Sequence, residues 1–361
     1  MSKGSDILQY FRLRRIIIPL LIGGIVSFYL IFWNGENGFS KSNLNSISWQ
    51  ASAGIWLFFA AVLLVLRDFG YMIRLRILSH RQLTWKQCFQ IVILWEFASA
   101  VSPGAVGGTA AALLIMAKEK LSVGKSTSIV LVTSLLDELY YLIMVPIGIF
   151  WFRNTTVFPD LNIDWISNQA LPLYFWGSYI FLFIWTAFLA FSLLVKPNVS
   201  KIIIRFFVSL PVLKRFRKKG LLLADDLIQS SYLLKKESST FWLKSIAVTF
   251  IIWSSRFLII NCLIEMVQNH TLVTHWEIYG KQLIMWILQM TSIFTIGASG
   301  FAEILFKKFI GSYAPFESVG PLILIWRMLT YYLYLILGFI ILPIWLKRVG
   351  LKISLPKKKS G

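Results

Sequence analysis

Long apolar stretches separated by short basic or polar loops constrain the fold of this chain more than any other feature. Hydrophobic residues make up 57% of the sequence, charged residues 14%, and the mean hydropathy is +0.70. A stretch of about 20 apolar residues crosses a bilayer as a helix. The sequence therefore predicts an all-α polytopic membrane protein. Six full spans are expected, at about residues 16–33, 51–66, 127–152, 173–195, 246–267 and 321–346.

A further apolar segment, residues 89–117, is interrupted in the middle. Pro103 has no N–H group, and Gly104, Gly107 and Gly108 make the backbone permissive, so a continuous helix is disfavoured. Such a break at membrane depth is tolerated only where it is buried in protein or lines a wet cavity. We interpret this segment as a re-entrant hairpin made of two broken helices.

The second half of the chain contains a matching interrupted segment, residues 282–310. Its Gly297 and Gly300 have the same three-residue spacing as Gly104 and Gly107. Paired interruptions in the two halves of a membrane protein are a sequence sign of a transport site within an inverted repeat. The predicted fold is therefore about six spans plus two re-entrant hairpins.

Basic residues beside the spans set the expected orientation. Arg12, Arg14 and Arg15 precede the first span, and Lys357 and Lys358 follow the last, so both termini should be cytoplasmic. This assignment holds only if both interrupted segments return to the side from which they entered. The first hairpin would then open to the cytoplasm and the second to the outside of a plasma membrane.

The repeat divides the chain into three parts. Residues 1–195 form the first membrane half and residues 246–361 the second. Between them, residues 196–245 carry many basic residues among Ile, Phe and Leu, which predicts a basic amphipathic cytoplasmic connector on the inner leaflet. A solvated linker that only sets the topology explains the same pattern.

A charged span with a tyrosine pair follows each glycine break. In the first half, Asp137-Glu138 precedes Tyr140-Tyr141, and the span ends near Gly148. In the second half, Arg327 precedes Tyr331-Tyr332, and the span ends near Gly338. Chance likeness between apolar helices is the alternative to a repeat.

Three motifs stand out: the Pro-Gly-x-x-Gly-Gly break, the Gly-x-x-Gly-Phe-Ala-Glu block that ends in Glu303, and the later Trp-Arg with Tyr-Tyr and Gly338. Together they resemble the transmembrane region of lysylphosphatidylglycerol synthases, a flippase-like family. The likeness covers nearly the whole chain. It implies movement of a lipid across the bilayer. Family members with a soluble C-terminal domain also aminoacylate that lipid from tRNA, but this chain ends at Gly361, so only translocation is expected.

Half-helices that begin inside the membrane direct free N–H groups towards its interior and suit a phosphate. We expect them to begin near Gly108–Thr109 and Gly300–Phe301. A helix broken for packing alone is the other interpretation. The predicted lipid head-group site comprises Pro103, Gly104, Gly107, Gly108, Thr109, Gly297, Ser299, Gly300, Glu303 and Arg327.

Charged residues within the spans cost about 2.5–3.5 kcal/mol each on an insertion scale and are usually paired. Asp137 and Glu138 are predicted to take part in intramembrane charge pairing, and an ion pair with Arg327 across the halves is one arrangement. Glu303 has two interpretations, a cap on its half-helix or a contact to a cationic head group or a coupled proton. Arg327→Ala and Glu303→Ala should abolish transport and leave protein levels intact.

The sequence contains no catalytic motif and no metal-ligand spacing, so neither an enzyme nor a cofactor is expected. The net charge of +20 is assigned to orientation and lipid contact rather than to nucleic acid. The expected partners are membrane lipids, an anionic or aminoacylated phospholipid foremost, and a homo-oligomer is compatible with the sequence. Two alternatives stay open: a membrane-embedded enzyme of lipid or glycan assembly, and a non-transporting partner of a lipid synthase.

Overall fold

The structure is a computed structural model in which part of the chain is described. The predicted first span, 16–33, lies outside the described residues, as do the predicted site residues Pro103, Gly297 and Ser299. The described residues are 49–102, 104–119, 121–151, 157–159, 170–209, 217–291 and 300–350.

The secondary structure of the described residues is helical. The helices of the first half are Ala53–Leu78 (α1), Trp85–Val101 (α2), Gly104–Lys118 (α3), Val123–Trp151 (α4) and Ala170–Ala190 (α5), which continues as a π-turn over Phe191–Val195. Two helices follow in the connector, Pro197–Ser209 (α6) and Arg217–Leu234 (α7). The second half contains Ser239–Glu265 (α8), Leu272–Thr291 (α9), Phe301–Phe309 (α10), Phe316–Arg327 (α11), a π-turn at Met328–Tyr332 and Leu333–Arg348 (α12).

Five helices in the described part are long and apolar enough to cross a membrane, which makes the chain a membrane protein. They correspond to the five predicted spans that fall within the described residues. Their bounds are Ala53–Leu78, Gly124–Phe150, Ala170–Val195, Ser239–Glu265 and Phe316–Arg348.

The first of these helices is longer than predicted. We expected the span to end at residue 66 and to be followed by a basic loop, but α1 continues to Leu78 and contains Arg67 and Arg74. Both arginine side chains are buried, with 0% and 2% of their surface exposed. Hydropathy counts each arginine as a cost to the span, whereas the folded protein offsets that cost with carboxylate partners.

Helices α1 and α8 pack side by side along most of their length. They are antiparallel, because the start of α1 meets the end of α8: the Gln50 amide donates to the Met266 carbonyl at 2.9 Å. At the other end, the rings of His80 and Phe241 stack 5.7 Å apart. The two halves are therefore joined through one long antiparallel helix pair.

The first interrupted segment contains two helices that pack against each other, α2, which ends at Val101, and α3, which begins at Gly104. Thr84 caps α2, since the Gln87 amide donates to its hydroxyl and the Thr84 amide donates to the Gln87 side chain. The two helices approach so closely that a Cβ on Gly108 would lie 2.0 Å from Ser99 Oγ and 3.1 Å from Ser99 Cα. Gly108 is thus needed for the contact between the two arms.

The arms of the two interrupted segments pack reciprocally across the halves. Helix α2 packs on α12, and α9 packs on α4. Each contact has a glycine at its closest point: a Cβ on Gly338 would lie 2.2 Å from Phe97 Cγ, and one on Gly148 would lie 3.2 Å from Gly280 Cα. Each half therefore supplies a long helix that holds the first arm of the other half's broken segment.

The tyrosine pairs lie at these same contacts. Tyr331 donates from its hydroxyl to the Ala100 carbonyl of α2 at 3.2 Å. The Tyr140 hydroxyl is hydrogen-bonded to the Tyr279 hydroxyl of α9. Both pairs therefore anchor an arm of the opposite half.

The connector helices lie beside the first half. Helix α7 packs on α4, where a Cβ on Gly124 would lie 2.3 Å from the Gln229 side chain. On α6, Ile202 and Phe206 expose 68% and 64% of their surface, and Lys201 pairs with Asp225 of α7 at 2.7 Å.

Candidate functional site

A polar stripe runs along the buried face of α1. Arg67, Tyr71 and Arg74 follow one another at helical spacing, so they share one face. The Tyr71 ring lies between the two guanidinium groups, 5.8 Å from the Arg67 carbon Cζ and 5.2 Å from that of Arg74. This stripe places two cations inside the helix bundle.

Arg67, the first of the two buried arginines of α1, is hydrogen-bonded to its neighbour in sequence, Asp68. Asp68 accepts from Arg67 Nε at 3.1 Å and from Nη2 at 2.8 Å. Asp68 also accepts from the Tyr334 hydroxyl of α12 at 2.6 Å, and the Tyr334 ring lies 4.8 Å from the guanidinium. The remaining nitrogen of Arg67, Nη1, is buried and has no hydrogen-bond partner among the described residues.

Glu96 of α2 lies between two arginines from different halves. Its Oε1 is 3.7 Å from Arg67 Nη2 and 3.7 Å from Arg256 Nη1 of α8. The Arg256 guanidinium stacks between two indole rings, 4.3 Å from Trp286 and 5.4 Å from Trp253. Stacking on the faces of aromatic rings stabilises a cation in a low-dielectric site. It covers the faces of the guanidinium and leaves the N–H groups at its edge available as donors.

Arg74, the second buried arginine of α1, forms an ion pair with Asp137 of α4. Its Nη2 donates to Asp137 Oδ2 at 3.3 Å, its Nη1 donates to Oδ1, and Nη1 also donates to Thr249 of α8 at 3.1 Å. Trp253 donates from its indole to Asp137 at 2.7 Å. Asp137 is thus paired within the first half and hydrogen-bonded to the second.

These residues form one group, which we name the central charge cluster: Arg67, Asp68, Arg74, Glu96, Asp137 and Arg256. It contains equal numbers of cations and anions, so its net charge is zero. It is built from α1, α2 and α4 of the first half and α8 of the second. The four members that are not fully buried, Asp68, Glu96, Asp137 and Arg256, expose between 17% and 22% of their side chains. The cluster can therefore be reached from outside the bundle core.

The first predicted half-helix starts earlier than expected, at Gly104. Gly108 and Thr109 consequently lie beyond its first turn, where backbone N–H groups are bonded within the helix rather than free for an anion. Gly104 and Gly107 lie in the first turn.

The second predicted half-helix, α10, carries its own carboxylate at its start. Gly300 is the N-cap, with φ of 87°, and its N–H donates to Glu303 Oε2 at 2.7 Å. A positive φ favours glycine, since a side chain would be strained there. Glu303 is fully buried, with 0% of its surface exposed. The capping role of Glu303 is therefore present in the structure.

Arg327 closes onto this same carboxylate. Its Nε donates to Glu303 Oε1 at 2.8 Å and its Nη2 donates to Oε2 at 3.0 Å, a bidentate pair. The guanidinium also lies 5.0 Å from the rings of Trp326 and Tyr331. The predicted site residues Glu303 and Arg327 are thus brought together, as an ion pair within the second half.

The other two predicted charges lie apart from Arg327. Asp137 pairs with Arg74, as described above. Glu138 accepts from the Trp185 indole at 3.2 Å and from the Thr186 hydroxyl at 3.1 Å, so α5 holds it through neutral donors. The cross-half ion pair with Arg327, one of the arrangements expected, is absent among these residues.

The sequence reasoning missed most of the central charge cluster. Arg67 and Arg74 were assigned to a loop, and Glu96 was not singled out. One signal was available in the sequence: Leu75 and Leu78 continue the helical spacing of Ala60 and Leu64 past the charges. The adjacent Arg67-Asp68 pair is the second signal, since opposite charges side by side lower the cost of a charge inside a span.

The apolar helices and the paired charges buried among them define a helical membrane protein with a polar cluster in its interior. The model of the lysylphosphatidylglycerol synthase TM region family matches residues 16–338, so the chain belongs to that family. A protein from Archaeoglobus fulgidus described as a UPF0104 membrane protein is 23% identical over 297 residues, which cover 79% of this chain and 85% of that protein. No solved structure matches the chain significantly.

Proposed function

We propose that the chain is a lipid translocator and that the central charge cluster lies on the path of the lipid head group. The cluster itself carries this proposal. Charges inside a membrane protein are costly, and outside transport, proton relay or ligand binding they have little use. Here they lie at the junction of the two halves and part of them is exposed, which is the place where a moving head group needs polar partners.

Alternating access between inverted halves is the proposed mechanism. Two inverted copies of one fold run antiparallel, and the antiparallel pairing of α1 with α8 supports this relation. The reciprocal packing of α2 on α12 and of α9 on α4 supports it as well. In this proposal the broken segments are re-entrant hairpins that rock against the opposite half.

The proposed topology has six spans in a plasma membrane, with both termini and the α6–α7 connector in the cytoplasm. The end of α1 and the start of α8 then lie on the cytoplasmic side, near Arg76, Arg81, Lys235 and Lys236. The excess of basic residues at this end supports that side.

We propose no enzymatic step. Asp68 and Asp137 are hydrogen-bonded to arginine, tyrosine or tryptophan donors, and Glu96 lies between two arginines, which suits binding rather than proton transfer to a substrate. A membrane-embedded lipid or glycan enzyme and a scaffold for a lipid synthase are the competing functions, and the experiment below separates them.

The test uses proteoliposomes with acyl-chain-labelled fluorescent phospholipids and dithionite, a membrane-impermeant quencher. Wild-type protein should allow quenching of label from both leaflets, whereas protein-free vesicles lose only the outer-leaflet signal. Arg74→Gln should reduce this activity, because it removes the cation that holds Asp137. Lys201→Gln, on the exposed face of the connector, is the matched control and should keep it.

Two results would contradict the proposal. Wild-type vesicles that protect the inner-leaflet label for every phospholipid would favour the scaffold. A new labelled lipid species, found by chromatography after incubation with purified protein, would favour the enzyme.

A further inference from the structure

We propose that Arg256 and Glu96, together with Arg67 Nη1, form a binding site for the head group of a phospholipid that carries both a phosphate and a primary ammonium group. This inference rests on the proposed function, which leaves the head group open. It begins from which members of the central charge cluster have already used their hydrogen-bonding groups and which have not.

Two carboxylates of the cluster are fully engaged. Asp68 accepts two hydrogen bonds from Arg67 and one from Tyr334. Asp137 accepts from both terminal nitrogens of Arg74 and from Trp253. A ligand would have to break short hydrogen bonds to reach either of them, so these two pairs form the frame of the site.

Arg256 and Glu96 are different. Within the described residues, their shortest contact to each other is 3.7 Å, and the contact of Glu96 to Arg67 is equally long. A distance of 3.7 Å exceeds hydrogen-bond length, so the guanidinium and the carboxylate attract each other without being hydrogen-bonded. The Trp253 and Trp286 rings cover only the faces of the guanidinium.

Arg67 supplies a further unsatisfied hydrogen-bond donor beside Glu96. Its Nη1 is buried and finds no hydrogen-bond partner in the part of the chain that the structure describes, although its Nη2 lies beside Glu96. A buried donor left unpaired costs about 1–3 kcal/mol. A ligand oxygen bound here would recover that cost.

Within the described residues, the groups of Arg256, Arg67 and Glu96 that remain available for hydrogen bonds are guanidinium donors and one carboxylate acceptor. Guanidinium N–H groups match phosphate oxygens in geometry and charge. The carboxylate of Glu96 matches an ammonium that can donate N–H bonds, which a choline head group cannot do. A ligand with one charge of each sign also keeps the site neutral, whereas a purely anionic head group adds an uncompensated charge in a low-dielectric interior.

Two of the three side chains of the site are partly exposed. The side chains of Glu96 and Arg256 expose 20% and 17% of their surface, whereas that of Arg67 exposes none. They come from α2 and α8, one from each half of the chain, so relative movement of the halves would change the distance between the two groups. A head group bound between them would thus be sensitive to the step that alternates access.

The experiment measures binding apart from transport. Purified protein in detergent receives an equimolar mixture of phosphatidylethanolamine, phosphatidylcholine and phosphatidylglycerol, and native mass spectrometry counts the lipids retained. We expect wild-type protein to prefer phosphatidylethanolamine by about tenfold, the value of one charge-assisted hydrogen bond. Glu96→Gln should bring all three lipids to similar occupancy, Glu96→Asp should restore part of the preference, and Asp225→Asn on the exposed connector should leave it unchanged.

Transport is then measured for the same three lipids in proteoliposomes. Preference for phosphatidylethanolamine in binding, with no transport of any lipid, would retain the site and remove the proposed function. Transport with equal rates for the three lipids in wild-type protein and in Glu96→Gln would retain the function and overturn the site. Soluble glycerophosphoethanolamine is added as a competitor: a lipid site predicts no competition at equal concentration, and full displacement would overturn it in favour of a soluble ligand.

Discussion

The buried Glu303–Arg327 pair allows the most quantitative prediction. Glu303 and Arg327 expose 0% and 5% of their surface and are joined by two hydrogen bonds of 2.8 and 3.0 Å. Glu303→Gln removes the anion but keeps an oxygen for the Gly300 amide, whereas Arg327→Met removes the cation and keeps much of the volume. Each single variant therefore removes one member of the ion pair and leaves the other charge buried, and the double variant leaves neither charge.

Removal of one partner from a buried ion pair costs about 3–5 kcal/mol, whereas replacement of both by neutral groups is often close to neutral. Each single variant should thus lower the free energy of unfolding by an amount in that range, equivalent to roughly a hundred- to several-thousand-fold in the unfolding equilibrium. The double variant should lose less than either single variant. The coupling free energy of this double-mutant cycle should be about 3 kcal/mol or more.

The assay uses the two cysteines of the chain, Cys88 and Cys262, both of which are free and buried. A thiol-reactive fluorescent dye labels them only after unfolding, so labelling along a denaturant series in detergent gives the stability of each variant. The exposed pair Lys201–Asp225 is the control, and its cycle should show a coupling of at most about 1 kcal/mol.

Additive effects of Glu303→Gln and Arg327→Met would refute the reasoning, because two independent sites show no coupling. The expected result also changes the hypothesis drawn from sequence, in which single substitutions at these residues abolish transport at intact protein levels. A closed pair instead predicts that the single variants lose stability, and that the double variant recovers both stability and protein level.

Three further predictions follow from contacts elsewhere in the fold. Gly338→Ala should destabilise the protein by about 1–3 kcal/mol, since its Cβ would collide with the ring of Phe97, whereas Gly177→Ala, with nothing within 4 Å, should cost nothing in the same unfolding assay. Thr84→Ala should cost about 1 kcal/mol by removing the cap of α2, and a cost near zero in that assay would show that the cap is dispensable. An impermeant maleimide should label Thr271→Cys on intact cells but Arg81→Cys only after permeabilisation, and the reverse pattern would invert the proposed topology.

The spans were predictable because hydropathy and length dominate helix placement in a membrane protein. Predicted spans at 173–195 and 246–267 correspond to helices Ala170–Val195 and Ser239–Glu265. The errors fall at ends, where a helix continues past its apolar stretch. The last predicted span, 321–346, is part of a helical stretch over Phe316–Arg348, which continues through Pro321 and through the π-turn at Met328–Tyr332.

The paired charges were less predictable, for a physical reason. The cost of a charge inside a membrane depends on which partner lies beside it, and hydropathy along the chain carries no information about partners distant in sequence. Arg74 meets Asp137 only because the fold brings side chains of α1 and α4 within reach of each other, and Arg256 meets Glu96 only because it does the same for α8 and α2. By contrast, the Glu303–Arg327 pair lies within one half, and both of its members were singled out from sequence.

In the proposed inverted repeat the two halves are not chemically equal, as the interrupted segments show. Glu96 precedes Gly104 by the same number of residues by which Gln289 precedes Gly297, so the equivalent position is a carboxylate in one half and a neutral amide in the other. The second half already places its hairpin carboxylate, Glu303, in a closed pair with an arginine. The carboxylate free to meet a cationic head group is therefore supplied by the first half, on α2, and its nearest arginine from the second half is on α8. In the proposed transporter the head-group site is therefore asymmetric, because the first half supplies a carboxylate at a position where the second half has a neutral amide.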